Sequence, residues 1–435
     1  MTNNLFKYLV TFAIVILFIS GCKKNQPVVP AVISFSTPDE NAVFFVPDTI
    51  LVRFSIESGS KIRSVRASID NTDMVPLSEQ VYIYPEVNQQ QFEVALPVNA
   101  MAYSDSLKCF IHLMVENEQK TTNAFRYIHL SNRSFIFKGF SVVTEEELNN
   151  STLYFYDENF NASGAYPISG RITHTATARE SDLLFLTSAI PDLLTAYRFS
   201  DHQPEWTREP QLPYPEFTFV QYQSPFLYFG NGAGQVVSVY GSDGTQVVNT
   251  PLFENFYPTG MAVNSTKLII GYQSRAGLSS RLTTCYRTTG SLVQEYLTDF
   301  NLVFGRKSNE SEEVILFGNT NNVGNRVIFD PEANEIVSTQ SFNIGIIKQA
   351  ISIDGRNFLV NSTSGLFRID SNSAEAEEVY IPENEMMDMT YDPYLSRLFI
   401  GDGSQVLIFS YPGLDLIKQL EFNNQVISIA TRYNR

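Results

Sequence analysis

From residue 31 to about residue 130, apolar and polar residues alternate with a period of two, broken by polar turns. In the run Ile50-Leu51-Val52-Arg53-Phe54-Ser55-Ile56, the side chains of Val52, Phe54 and Ile56 share one face, and Arg53 and Ser55 take the other. Val65, Ala67 and Ile69 alternate in the same way with Arg66, Ser68 and Asp70. Phe92, Val94 and Leu96 repeat the pattern, as do Leu107, Cys109, Ile111, Leu113 and Val115. About seven short strands in roughly 100 residues predict a two-sheet sandwich of the immunoglobulin-like kind over residues 31–132.

From residue 133 onward the texture changes and an internal repeat appears. Apolar strands that tend to run into glycine recur at Leu184, Leu227, Leu268, Ile315, Phe358 and Leu398, spaced by 43, 41, 47, 43 and 40 residues. One period upstream lies Phe140-Ser141-Val142-Val143, which brings the count to seven units over about 300 residues. Each unit continues with a second strand and a polar turn, such as Gly241-Ser242-Asp243-Gly244 or Tyr411-Pro412-Gly413. A strand-turn-strand unit of this length repeated seven times predicts a β-propeller over residues 133–435. Val426-Ile427-Ser428-Ile429 echoes Ala350-Ile351-Ser352-Ile353 but has no unit of its own to complete. Pairing it into the first unit would close the ring and remove two exposed sheet edges. The fold class expected is therefore all-β, an immunoglobulin-like sandwich followed by a seven-bladed β-propeller.

Two resemblances accompany these patterns. Ile33-Ser34-Phe35-Ser36-Thr37-Pro38, followed by Phe54 and Val65, resembles bacterial Ig-like modules, although it lacks a Cys-Trp-Cys signature. The resemblance implies a spacer. The repeats resemble YVTN/WD40-like propellers as a class, without the Gly-His and Trp-Asp marks of WD40 repeats, which implies the architecture alone.

The first residues read as an address. Lys7 precedes an apolar run over residues 8–19, shorter than the roughly 20 residues that cross a bilayer and suited to the core of an export signal. It ends in Ile19-Ser20-Gly21-Cys22, which resembles a bacterial lipobox. That resemblance implies a signal peptide over 1–21, lipidation of Cys22, and membrane attachment through several acyl chains. Residues 22–30, which include Lys23-Lys24-Asn25-Gln26-Pro27, read as a semi-extended tether. No Asp follows the cysteine, so an outer-membrane site in the cell envelope is expected. The chain looks like a lipoprotein of the kind found in Bacteroidota. Asp48-Thr49-Ile50 and Asp105-Ser106-Leu107 resemble the O-glycosylation acceptor of that group.

A net charge of −16 disfavours nucleic acid as a partner. Apart from Cys22, only Cys109 and Cys285 are present, and both sit within apolar strand patterns, so they read as core residues. Of the four histidines, His112 and His129 are expected at the surface, His174 near a ring mouth and His202 in a turn. No pair of them has local metal spacing, and no Gly-x-Ser-x-Gly elbow is present. Acid runs such as Glu145-Glu146-Glu147 read as solvated surface, and Asp243-Gly244 and Asp402-Gly403 as tight turns, not calcium loops. Trp206 is the only tryptophan, against sialidase-type and quinone-dependent propellers, which use it recurrently.

No catalytic residue, metal or cofactor is expected. The function expected is a non-catalytic binding or scaffolding head for an envelope protein or a glycan. Connections entering the inner strands point to Arg171, His174, Tyr214, Tyr257, Lys348 and Glu385 as ligand-binding residues by fold-level analogy. A polysaccharide-acting hydrolase or lyase at the ring mouth is the alternative.

Overall fold

The computed structural model describes residues 30–434 except 73, 87–88, 99–105, 133–134, 147–148, 180, 210–215 and 310. Ile19, Ser20, Gly21, Cys22 and Tyr214 therefore lie outside the described residues, as does Asp105 of the second acceptor tripeptide. Among the described residues no helix is long and apolar enough to cross a membrane. The chain divides into two units, 1–133 and 134–435.

The first unit contains a three-stranded and a five-stranded sheet. Asp48–Glu57 is the centre of the smaller sheet, between Val32–Thr37 and Gln91–Val98. The larger sheet runs Ala42–Val46, Thr121–Asn132, Ser106–Asn117, Ile62–Asn71, Val81–Ile83, and its first pair is parallel. The period-two pattern has its cause here: Val52, Phe54 and Ile56 meet Val65, Ala67, Ile69, Ile111 and Leu113 in one core shared by both sheets. Cys109 belongs to that core, and burial pushes its thiol up to about 12. His112 departs from expectation. It is buried, bonded through Nδ1 to Asp70 at 2.9 Å and through Nε2 to Asn123 at 3.0 Å, and stacked on Phe125. Polar neighbours on the adjacent strands cover the sheet face that alternation alone assigns to water.

Among the described residues, the second unit contains seven four-stranded antiparallel sheets. The innermost strands, from the first sheet to the seventh, are Val426–Asn434, Arg171–Ala178, Phe217–Gln223, Phe256–Val263, Asn301–Lys307, Ile347–Ser352 and Met386–Asp392. The apolar repeats seen in the sequence are the second strands, for example Leu183–Ala189 and Lys267–Ser274. They read as continuous apolar runs because both of their faces are buried. Leu184 and Leu186 face the core shared with the first sheet, and Phe185 faces the core shared with the third.

Seven such cores exist, one between each pair of neighbouring sheets. One of them joins the seventh sheet to the first through Phe399, Ile408, Phe140, Val142 and Val426, so the sheets form a closed ring. The glycines that end the repeats serve this packing. A Cβ on Gly271 would stand 2.3 Å from the Leu302 Cβ of the next sheet. Closure comes from the C-terminal strand Val426–Asn434, which pairs antiparallel with Ile136–Glu145 and supplies the inner strand that the first repeat lacks. Cys285 is buried between the third and fourth sheets, with its thiol pushed up to about 12 by burial.

Candidate functional site

Each inner strand begins at the same end of the ring, where the connections from the preceding sheet arrive. Near its start each carries a β-bulge, which falls at Thr173, Thr218, Thr259, Val303, Lys348, Met387 and Ile427. A bulge inserts one unpaired residue and re-aims its side chain. All seven of these residues line one cavity of about 830 Å³ that runs into the ring at this mouth. The volume lies in the ~300–1,000 Å³ range of small-molecule and side-chain pockets.

Deeper in the cavity a hydrogen-bond network ties four inner strands together. Asp388 accepts from Ser428 Oγ at 2.7 Å, Ile429 N at 2.7 Å, Gln349 Nε2 at 2.5 Å and Met389 N at 2.8 Å. The Ser428 hydroxyl donates to the carboxylate, so at 2.6 Å it accepts from Thr175. Burial raises the Asp388 carboxyl above its usual range, and these four donors oppose the shift.

His174 lies within the inner strand of the second sheet, not ahead of it. Its partial exposure is to the cavity it lines. Desolvation there lowers its pKa to about 4, so the imidazole is neutral at physiological pH. Because the folded value lies below the ordinary one, neutral His174 adds stability above pH 6.5 that is lost as pH falls toward 4. The full effect is on the order of 3 kcal/mol, about 2 of it between pH 7 and pH 4.5. In urea unfolding at pH 7 and pH 4.5, the wild type should lose about that much more stability than His174→Gln. Parallel losses in the two proteins would remove the buried-neutral assignment.

Arg171 and Lys348 also line the cavity, and each already has an acidic partner. Arg171 meets Glu145 at 3.5 Å, and Lys348 meets Glu385 at 2.7 Å, which holds the Glu385 carboxyl below its usual range. Glu145 lines the cavity and keeps 38% of its side chain exposed. Tyr257 stands at the mouth end of its strand but outside the cavity lining, where its hydroxyl donates to Gln273 at 2.6 Å. Arg171, His174 and Lys348 therefore share one cavity, Glu385 joins through its ion pair, and Tyr257 does not enter it.

Asp192, Glu216 and Asp388 were not among the residues singled out from sequence, yet all three line the cavity. Burial, and then repulsion from Glu216, raise the Asp192 carboxyl above its usual range. The other two histidines lie elsewhere. His202 stacks on Phe155 at 4.1 Å and bonds to the Tyr166 hydroxyl, and His129 is half-buried in the first unit. Among the described residues, no group of three His, Cys, Asp or Glu side chains is arranged to hold a metal. Asp402 accepts from Tyr380 Oη, Glu383 N and Asn384 N, so it fixes the connection that presents Glu385.

A closed ring of four-stranded sheets around a water-accessible channel defines the second unit as a β-propeller. Solved structures similar to the chain include Kuenenia stuttgartiensis hydrazine synthase, at 12% identity and TM-score 0.45, covering 59% of this chain and 88% of that one. The Myceliophteria thermophila Cps50 (Swd1) beta-propeller domain is also similar, at 12% identity and TM-score 0.48, covering 59% and 89%. No protein-family model and no curated protein matches the chain. Similarity this distant carries no activity across.

Proposed function

We propose that this chain is a lipid-anchored cell-envelope protein, in which an immunoglobulin-like spacer carries a seven-bladed propeller that binds or scaffolds a protein or glycan partner without catalysis. The observation that carries the reading is the mouth channel. All seven inner strands turn a bulged side chain into it, and its deepest carboxylate is fully engaged with protein donors. A preformed recess whose buried carboxylate is held by the protein itself suits recognition. The anchor rests on Ile19, Ser20, Gly21 and Cys22, and an outer-membrane address on the absence of Asp after Cys22. Cys22→Ser is expected to move the protein from the membrane to the soluble fraction; retention on membranes would remove the anchor.

The second reading, a polysaccharide hydrolase or lyase, is favoured by the convergence of Asp192, Glu216, Asp388 and His174 on one cavity. The mature chain, purified in mild detergent, should retain a partner from envelope extract or a glycan array and leave polysaccharides intact. Release of new reducing ends or unsaturated sugars would favour the enzyme and remove the non-catalytic reading.

A further inference from the structure

The mouth of the ring combines exposed aliphatic side chains with acidic ones. At the mouth, the connections and hairpin turns expose one aliphatic side chain after another: Ile190, Leu252, Leu278, Val323, Ile346 and Ile381. Leu278 is 88% exposed and Ile190 70%, far beyond what either gains by facing water. At the opposite end the turns are built around aspartates that accept from nearby backbone, such as Asp157 from Asn161, Asp243 from Thr245 and Asp330 from Glu332. The large side chains exposed there are Tyr240, tilted against Phe226, Tyr286, which lies under the Lys267 ammonium, and aliphatic residues such as Leu395, Leu416 and Ile417. The first and last strands of the unit, Ile136–Glu145 and Val426–Asn434, pair at that opposite end through Ile136 and Asn434.

Charge at the mouth is unbalanced. Arg171 and Lys348 are neutralised by Glu145 and Glu385. Asp192 and Glu216 line the same recess, close enough for one charge to act on the other, and among the described residues neither meets a basic side chain. Residues 210–215, which lead into Glu216, contain no Lys or Arg.

We infer that the mouth is a docking surface for a protein segment whose apolar side chains cover the aliphatic ring while a Lys or Arg side chain enters the recess beside Asp192 and Glu216. This deepens the binding reading and rests on it. A sugar partner is the poorer fit. Carbohydrate faces stack on exposed aromatic rings, whereas the exposed mouth positions named above are aliphatic. A protein interface instead pairs an apolar centre with a few complementary charges at its edge.

The test uses the mature chain in mild detergent and an array of immobilised peptides with Lys or Arg between apolar residues. Matched peptides carry Glu or Ala in place of the cation, and a glycan array is run in parallel. The Lys and Arg peptides are expected to bind about tenfold more strongly than their Glu counterparts, with the preference falling as salt rises. Asp192→Asn with Glu216→Gln should erase most of that preference, and Leu278→Ser with Ile190→Ser should weaken binding to every peptide. Glu335→Gln with Glu378→Gln removes the same charge from exposed outer strands and should leave the preference in place. A preference that survives the Asp192/Glu216 pair of substitutions, or that is absent from the start, overturns the inference. Glycan binding without a cation preference would overturn it and leave the binding head standing. Silence on both arrays would remove the two together.

Discussion

Removal of residues 425–435 is expected to abolish cooperative folding of the propeller. The lost strand, Val426–Asn434, is the inner strand of the first sheet, and its partner Ile136–Glu145 would be left as an open edge facing the channel. Val426, Ile429 and Tyr433 are buried between the seventh and first sheets, a contribution on the order of 2 kcal/mol apiece. Polar ties go with them: Arg432 to Asp182 at 2.8 Å, Tyr433 to Asp392 at 3.1 Å, and Asn424 Nδ2 to Glu146 would lose its flanking strand. These losses together approach the whole ~5–15 kcal/mol by which a domain is stable. Circular dichroism melting should show no cooperative transition for the propeller, and the product should aggregate through its open edge. A truncated protein that melts within a few degrees of the full chain would contradict ring closure by this strand.

Asp388→Ala is the largest single-residue effect expected. It strands the Ile429 amide and leaves the Ser428 hydroxyl with Thr175 alone, whereas the Met389 amide keeps Gln349 Oε1 at 3.0 Å and Gln349 Nε2 keeps the Met389 carbonyl at 3.3 Å. Each stranded buried donor costs about 1–3 kcal/mol. Some of that is regained because the burial that raises the carboxyl's pKa disappears along with the charge. The net loss should be about 2–4 kcal/mol, or roughly 4–12 °C in Tm for a unit of this size. Asp388→Asn keeps one acceptor oxygen and should cost less than half as much. The raised carboxyl also predicts a pH dependence opposite to that of His174. Its protonated form is favoured in the folded state, so its contribution is present on the acid side and declines as pH rises through the raised value. Equal stability of the Ala and Asn variants would mean that the donors find other partners.

The parts of this architecture that could be read from sequence are those whose two faces share one fate. The second strands of the repeat are buried on both faces, so Leu268-Ile269-Ile270 and Leu398-Phe399-Ile400 stand out as apolar runs at nearly constant spacing. The sandwich strands bury one face, and Val52, Phe54 and Ile56 alternate cleanly for that reason. The inner strands were legible only in part. The bulge near their starts, at the third residue for Thr173 and the second for Met387, breaks the period of two, and the channel side is polar where a core would be apolar. His174 was accordingly read as lying ahead of a strand that in fact contains it. A signal was present in the aligned threonines Thr173, Thr218 and Thr259, which recur near the starts of three successive inner strands. Asp192 and Glu216 sit in connections, where an isolated acid looks like any solvated residue until the ring brings them together. His112 was misread because the residues that cover it, Asp70 and Asn123, come from the neighbouring strands.

The account turns on the mouth being the surface that binds. The most direct measurement is capture from envelope extract and from a glycan array with two proteins side by side, the wild-type chain from residue 23 onward and Asp192→Lys with Glu216→Lys. Both residues line the cavity and, among the described residues, neither forms an ion pair, so folding should be unchanged. The account predicts that whatever the wild type retains is lost or reduced about tenfold in the variant while its melting temperature stays the same. Undiminished retention by the folded variant would place the binding surface elsewhere and contradict the role given to the channel.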